Sequence, residues 1–184
     1  MSSGASAFWR RLDRPGHDAA TIERSGDGWT LSGYAVFLEK GVTGLHYQLE
    51  IGRDFGTRSA RIEGFRDGVH FAHEVRRSGA WYLDEVLIAD LDDLVHLDLG
   101  FTPATNFQQL RRAGLKVGDE AEIPAAWFDV GAASLTRLPQ RYRRLSEDRY
   151  DYSSPTASYS AVLELAPSGF VRVYPGLWEM EGDR

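Results

Sequence analysis

From Trp29 to Val75 the chain reads "WTLSGYAVFLEKGVTGLHYQLEIGRDFGTRSARIEGFRDGVHFAHEV", short runs rich in Val, Ile, Leu, Tyr and Phe broken by Gly and Asp. Leu45, Tyr47, Leu49 and Ile51 alternate with His46, Gln48 and Glu50. A period of two gives a strand one apolar and one wet face. Val69, Phe71, His73 and Val75 repeat the pattern against His70, Ala72, Glu74 and Arg76. The breaks fall at hairpin spacing, with Asp27-Gly28 and Asp67-Gly68 placed as tight turns that tolerate positive φ. The expected result is an antiparallel meander. The run from Trp29 to Leu38 is apolar on both sides, with Leu31, Ala35 and Phe37 opposed to Tyr34, Val36 and Leu38. Both faces are therefore expected to be covered, by curling of the sheet, by a helix or by a ligand.

The C-terminal third, from "EAEIPAAWFDV" through "RLPQRYRRL", "DRYDYSS" and "ASYSAVLEL" to "FVRVYPGLWEM", is again strand-like, with "LAPSGF" closing the last hairpin. Between the two β-rich parts, "LDEVLIADLDDLVHL" has mixed periodicity and reads as a loop over Ala89 to Asp93 leading into a strand at Leu94. The one convincing helix begins near Thr105 in "TNFQQLRRAG". Thr105 and Gln108 have the spacing of a capping box, and Gly114 suits the left-handed position after the last turn. Phe107, Leu110 and Ala113 fall at helical spacing, and Arg111 and Arg112 complement the dipole. A helix of about two turns does not survive alone in water, so packing against the concave side of the sheet must hold it. No linker or repeat interrupts residues 1–184, which are expected to form one mainly β domain.

The chain has no Cys, which excludes disulfides, thiolate zinc sites and cysteine nucleophiles. Its formal net charge of -6 disfavours nucleic acid as a partner. The start meets charge at Arg10 before any apolar run, so neither an export signal nor a spanning segment is expected, and the compartment is read as cytoplasmic.

Chemistry-bearing residues are sparse. His70 and His73 are three apart on a strand and so point to opposite faces, which argues against a shared metal ion. His96 and Asp98 are two apart on a strand and share a face, so they could act as a base with its orienting carboxylate or grip a polar ligand. No serine elbow, Walker loop or dinucleotide fingerprint occurs, and no cofactor is expected. Thr102, Pro103, Thr105 and Asn106 lead into the helix, where they serve either as local caps or as part of an anion site. Arg141 and Tyr142 offer a forked donor and a ring for sugars or anionic headgroups, or else belong to a solvated face. Trp127 and Trp178 stand near strand ends, as core or as cavity wall.

"LDLGFTPATNFQQLRR", "TRSARIEGF", "LPQRYRRL" and "YPGLWE" resemble a bacterial family described as putative glycolipid-binding. The likeness runs from about Phe8 to Trp178. It implies a spiral β-roll, a many-stranded antiparallel sheet wrapped around one short α-helix, and a non-enzymatic binder of a glycolipid or other amphiphile in an apolar interior. The polar contacts expected for such a ligand are His96, Asp98, Thr102, Thr105, Asn106, Arg111, Arg141 and Tyr142. The alternative is an enzyme acting on a lipid-like or sugar-like substrate through His96 and Asp98.

Overall fold

The computed structural model describes residues 4–182, which form seventeen strands and one helix. The N-terminal meander comprises β1 (Ala5–Arg11), β2 (Gly16–Ser25), β3 (Gly28–Leu38), β4 (Val42–Ile51), β5 (Thr57–Arg66), β6 (Val69–Arg77), β7 (Trp81–Leu83) and β8 (Val86–Ile88). A short strand, β9 (His96–Leu99), precedes the helix α1 (Asn106–Ala113). The remainder is β10 (Glu120–Glu122), β11 (Ala125–Asp129), β12 (Ser134–Leu138), β13 (Arg141–Arg144), β14 (Arg149–Ser154), β15 (Tyr159–Leu165), β16 (Val171–Tyr174) and β17 (Trp178–Met180).

Fourteen strands make one antiparallel sheet, because the last strand, β17, pairs with the first, Trp9 opposite Met180 and Arg11 opposite Trp178. That pairing joins the N-terminal meander to the C-terminal one. The sheet stays open, with β8 and β10 at its edges, and a second sheet of β12, β11 and β9 contains the parallel pair β11–β9. The architecture is the expected roll around a single helix.

The turns follow the predicted chemistry with one shift. Asp67 and Gly68 both have positive φ, 48° and 80°, between the paired residues Arg66 and Val69. In the first long hairpin, however, Ser25 pairs with Gly28, so Gly26 and Asp27 form the loop rather than Asp27 and Gly28. Gly26 carries the positive φ of 56°. The acidic stretch holds an unforeseen hairpin, β7–β8, turned by Asp84 and Glu85 at φ 49° and 67°. "LAPSGF" closes the hairpin before the last one, since β16 turns again into β17.

The meander buries Leu31, Ala35 and Phe37 of β3 with Leu45, Tyr47, Leu49 and Ile51 of β4. The other side of β3 is not covered: Tyr34, Val36 and Leu38 are 66%, 54% and 51% exposed. The expectation of two covered faces fails because a convex sheet surface tolerates apolar residues that shield one another. Tyr34 lies on His46 with ring centroids 4.6 Å apart, and Phe8 stacks on His17 at 5.2 Å.

The concave side contains a buried carboxyl, Asp18 of β2. Tyr47 donates its hydroxyl to Asp18 at 3.0 Å, and the Thr102 hydroxyl donates to the same carboxyl. Thr102 Oγ1 also accepts from the backbone N–H of Ala104 at 3.0 Å. These bonds pin the segment that enters α1 to the inner face of the sheet. Burial pushes the Asp18 carboxyl up to about 7. Tyr47 reaches Asp18 only because position 33 is glycine: a Cβ there would lie 2.5 Å from the Tyr47 ring carbon that bears the hydroxyl and 2.6 Å from the Ala19 carbonyl oxygen. Gly33→Ala is therefore expected to push the phenol off Asp18 and to cost about 2–3 kcal/mol, by overpacking and a lost buried hydrogen bond. Urea unfolding of the variant checks this, and an unchanged midpoint would be inconsistent with it.

Candidate functional site

The helix has an unusual buried face. Phe107 and Leu110 pack into the core as the spacing predicts, but Asn106, Gln108 and Gln109 are buried as well. Gln108 donates to the Leu97 carbonyl at 2.8 Å and to Thr57 Oγ1 at 3.2 Å. The predicted capping box is absent. Thr105 has helical backbone angles (φ -71°, ψ -16°), its side chain makes no cap, and its Oγ1 instead accepts from the Leu99 N–H at 3.3 Å. A buried amide needs a strong acceptor, and for Gln108 the carbonyl of β9 supplies it. Gly114 closes the helix as expected, with φ 55° and its N–H on the Leu110 carbonyl.

Gln109 begins a second network. It donates to Asp98 Oδ2 at 2.8 Å and accepts from Gln140 Nε2 at 3.0 Å. Gln140 Oε1 in turn accepts from the Tyr152 hydroxyl at 2.9 Å, and Asn106 Nδ2 donates to the Tyr142 hydroxyl at 2.7 Å. All six of these side chains are buried. Burial raises the pKa of Tyr142 and Tyr152, so both phenols stay protonated as donors. Burial also pushes the Asp98 carboxyl up to about 6, against the lowering effect of the Gln109 bond.

The network floors a cleft of about 420 Å³ between the small sheet and the C-terminal strands. Trp127 and Leu138 come from the small sheet, Tyr152, Tyr174 and Trp178 from the large one, and Asp98, Thr102 and Asn106 from β9 and the helix entrance. Only Oδ2 of Asp98 accepts a hydrogen bond from a described residue. Ser154 Oγ, buried in the same wall, makes no hydrogen bond within 3.5 Å to any described residue. The cleft thus offers unpaired hydrogen-bonding atoms beside indole and leucine surface. That composition is characteristic of small-molecule sites, whose volumes run from roughly 300 to 1,000 Å³.

Of the residues singled out in the sequence, Asp98, Thr102 and Asn106 meet in this cleft, and Tyr142 stands directly behind Asn106. Thr105 is fully enclosed. Arg141 lies on the outside, bonded to Glu120 at 3.2 Å. Arg111 lines a different cavity at the other end of the helix. His96 shares β9 with Asp98, yet no hydrogen bond joins them and His96 is not part of the cleft wall. Burial, with Arg112 and Arg77 nearby, pushes the imidazole down to about 4, and its Nδ1 has no partner among the described residues. His73 pairs with Asp84 at 2.7 Å while His70 lies against Phe65, so the two histidines occupy opposite faces. No cluster of three or more metal-ligating side chains occurs among the described residues, and no helix there is long and apolar enough to cross a membrane.

Gln108, Gln109, Gln140, Tyr152 and Ser154 were not foreseen. The signal that could have found them is the pair of glutamines inside an otherwise amphipathic helix, together with Gln140 two residues before Tyr142. The four sequence stretches picked out by resemblance converge here: Thr57, Asp98 to Gln109, Gln140 with Tyr142, and Tyr174 with Trp178 surround the helix or the cleft. The family model for putative glycolipid-binding proteins matches residues 6–180. The chain belongs to that family. A DUF1089 family protein from Pseudomonas aeruginosa has a similar crystal structure, with 24% identity and a TM-score of 0.68 over 97% of this chain and 92% of that one. At that identity the likeness shows the fold alone. No curated protein matches the sequence.

The raised pKa of Asp98 has a thermodynamic consequence. A carboxyl whose native pKa exceeds its unfolded value of about 3.9 holds its proton more tightly when folded. Its contribution to stability therefore falls as pH rises from about 4 to about 6 and stays low above that. Asp98→Asn keeps an acceptor for Gln109 and removes the charge. The variant should gain on the order of 2 kcal/mol over the parent at pH 8 and nothing at pH 4. Denaturant unfolding at the two pH values measures the difference, and equal stabilities at pH 8 would refute the assignment.

Proposed function

We propose that the protein binds a glycolipid or a similar amphiphile without transforming it. The polar head sits on Asp98, Asn106 and Ser154, and the apolar part lies along Trp127, Trp178 and Leu177. The observation that carries this reading is the buried, unpartnered Ser154 hydroxyl beside the half-satisfied Asp98 carboxyl, both in an apolar cleft. Leaving the buried Ser154 hydroxyl unpaired costs stability, and a ligand's hydroxyls would satisfy it while donating to the free Asp98 oxygen. Family membership supports the same class of ligand.

A sugar headgroup suits the cleft better than a phosphate. Its floor presents carboxylate and amide oxygens that accept from hydroxyls, and Arg137, the one cation among the described residues that line it, is engaged by Asp93. Indole and phenol rings complete the match by packing on the apolar faces of a pyranose. The apolar tail is assigned to the cleft wall and not to the deep interior, because Leu97, Leu99, Phe107 and Leu110 fill the space between helix and sheets.

Ser154→Ala separates binding from folding. The hydroxyl has no partner among the described residues and is desolvated there, so its loss should leave stability equal to the parent's or raise it by up to about 1–3 kcal/mol. Affinity for octyl glucoside below its micellar concentration, followed by tryptophan fluorescence, should fall by about five-fold, as befits one neutral hydrogen bond. Absence of saturable binding by the parent, with protein from its host carrying no lipid in native mass spectra, would dismiss the proposal.

A further inference from the structure

A cavity of about 710 Å³ lies at the opposite end of α1 from the cleft. Leu110, Leu115, Leu165 and Pro167 provide apolar wall, and three arginines, Arg111, Arg144 and Arg172, face it. Arg172 is engaged by Glu164 at 2.6 Å. The other two have no carboxylate within ion-pair distance among the described residues.

Both unpaired guanidinium groups are nonetheless held in place. Arg111 lies over the Phe107 ring, 5.1 Å from its centroid, and against the backbone of Gly169. A Cβ at position 169 would stand 2.9 Å from an Arg111 nitrogen, and the φ of 94° there also excludes an ordinary residue. Arg144 donates through each of its three nitrogens to a backbone carbonyl, those of Leu115, Ser146 and Glu147, at 2.7–3.0 Å. A guanidinium has five N–H bonds, so two remain for a ligand. Tyr150 lines the same cavity, with the Arg144 guanidinium 5.6 Å over its ring, and its hydroxyl makes no hydrogen bond among the described residues.

We propose that this cavity is a second binding site, which takes an oxyanion on Arg111, Arg144 and Tyr150 and accommodates an apolar body attached to it. Rigid, forked donors are the residues suited to phosphate and carboxylate. Holding them by backbone and ring contacts, with no carboxylate partner, leaves their charge for the ligand. Glu147 and Asp148 line the cavity too. Around the Tyr150 hydroxyl, however, the charges that act are Arg144 and Arg111, and burial keeps the phenol protonated as a donor. Leu110, Leu115, Leu165 and Pro167 give a hydrocarbon chain that carries the anion a surface to lie on. This inference does not depend on the cleft.

The test is an amide NMR titration of the full chain with inorganic phosphate, with octyl phosphate, and with phosphatidylcholine vesicles with or without phosphatidic acid. The expected result is saturable shifts at the Gly114, Ser168 and Gly169 amides with octyl phosphate, weaker ones with inorganic phosphate, and none with neutral vesicles. Shifts with anionic vesicles would name a lipid headgroup as the source, and their absence a soluble anion. Arg111→Gln should weaken octyl phosphate binding by about ten-fold or more, as loss of a charged hydrogen bond does. Tyr150→Phe should weaken it by several-fold, while Ser154→Ala leaves it unchanged. Arg111 is the better substitution because Arg144 also ties three loop carbonyls. No saturable shift with any of the probes, or equal affinity in Arg111→Gln, would overturn the proposal. Octyl phosphate binding without octyl glucoside binding would leave this site standing and remove only the reading of the cleft.

Discussion

Gln108 and Gln109 have to find partners inside the roll, since an unsatisfied buried amide costs about 1–3 kcal/mol and an eight-residue helix has little stability of its own. Their solutions fix everything around them. Gln108 takes the Leu97 carbonyl and Thr57, tying the helix to β9 and to the start of β5. Gln109 takes Asp98 and Gln140, tying it to β9 again and to the loop before β13. The helix is thus held by directional bonds as well as by Phe107 and Leu110, and slippage by one residue would break all of them at once. Such networks specify one arrangement where an apolar helix could settle in several.

The cleft is a by-product of the same constraint. Thr105 and Gln109 hold the helix entrance on β9 and Asn106 holds it on Tyr142, and the space left between Trp127 and Leu138 of the small sheet and the hairpin β16–β17 is the cleft. Thr102 marks the boundary between two polar systems: its hydroxyl is bonded to Asp18 in the sheet core, while its residue lines the cleft. A ligand that moved the helix entrance would therefore be felt at Asp18 and Tyr47. The sheet, the helix and the cleft are mechanically one unit.

The β-architecture was readable because it rests on local chemistry: period-two alternation in β4 and β6, and the Asp67-Gly68 turn with its two positive φ values. The same kind of evidence misled at Thr105, where a capping box was spelled out but the side chains had stronger demands elsewhere. It also misled at β3, where apolar residues on a second face stay in solvent. The site was half legible. Asp98, Thr102 and Asn106 come from one continuous stretch, which marked them. Gln140, Tyr152 and Ser154 reach the same place through strand pairing of β13 with β14, and neighbours in a folded sheet leave no mark on spacing along the chain.

Burial of Asp18, Asp98 and His96 ties the stability of the fold to pH. Asp18 and Asp98, with raised pKa values, each lower stability as pH climbs from about 4 toward 7 and 6. His96, pushed down to about 4, acts in the opposite sense: the unfolded chain binds its proton from about pH 6.5 downward, so stability is lost as pH falls through that range. The effects partly offset one another between pH 4 and 6.5, but above pH 7 the cost of the two carboxyls stands alone. Asparagine would satisfy Gln109 without that cost, so stability does not explain an acid at position 98. The acid at position 98, with one oxygen free of protein partners and its residue in the cleft wall, is therefore the group on which the proposed headgroup contact depends.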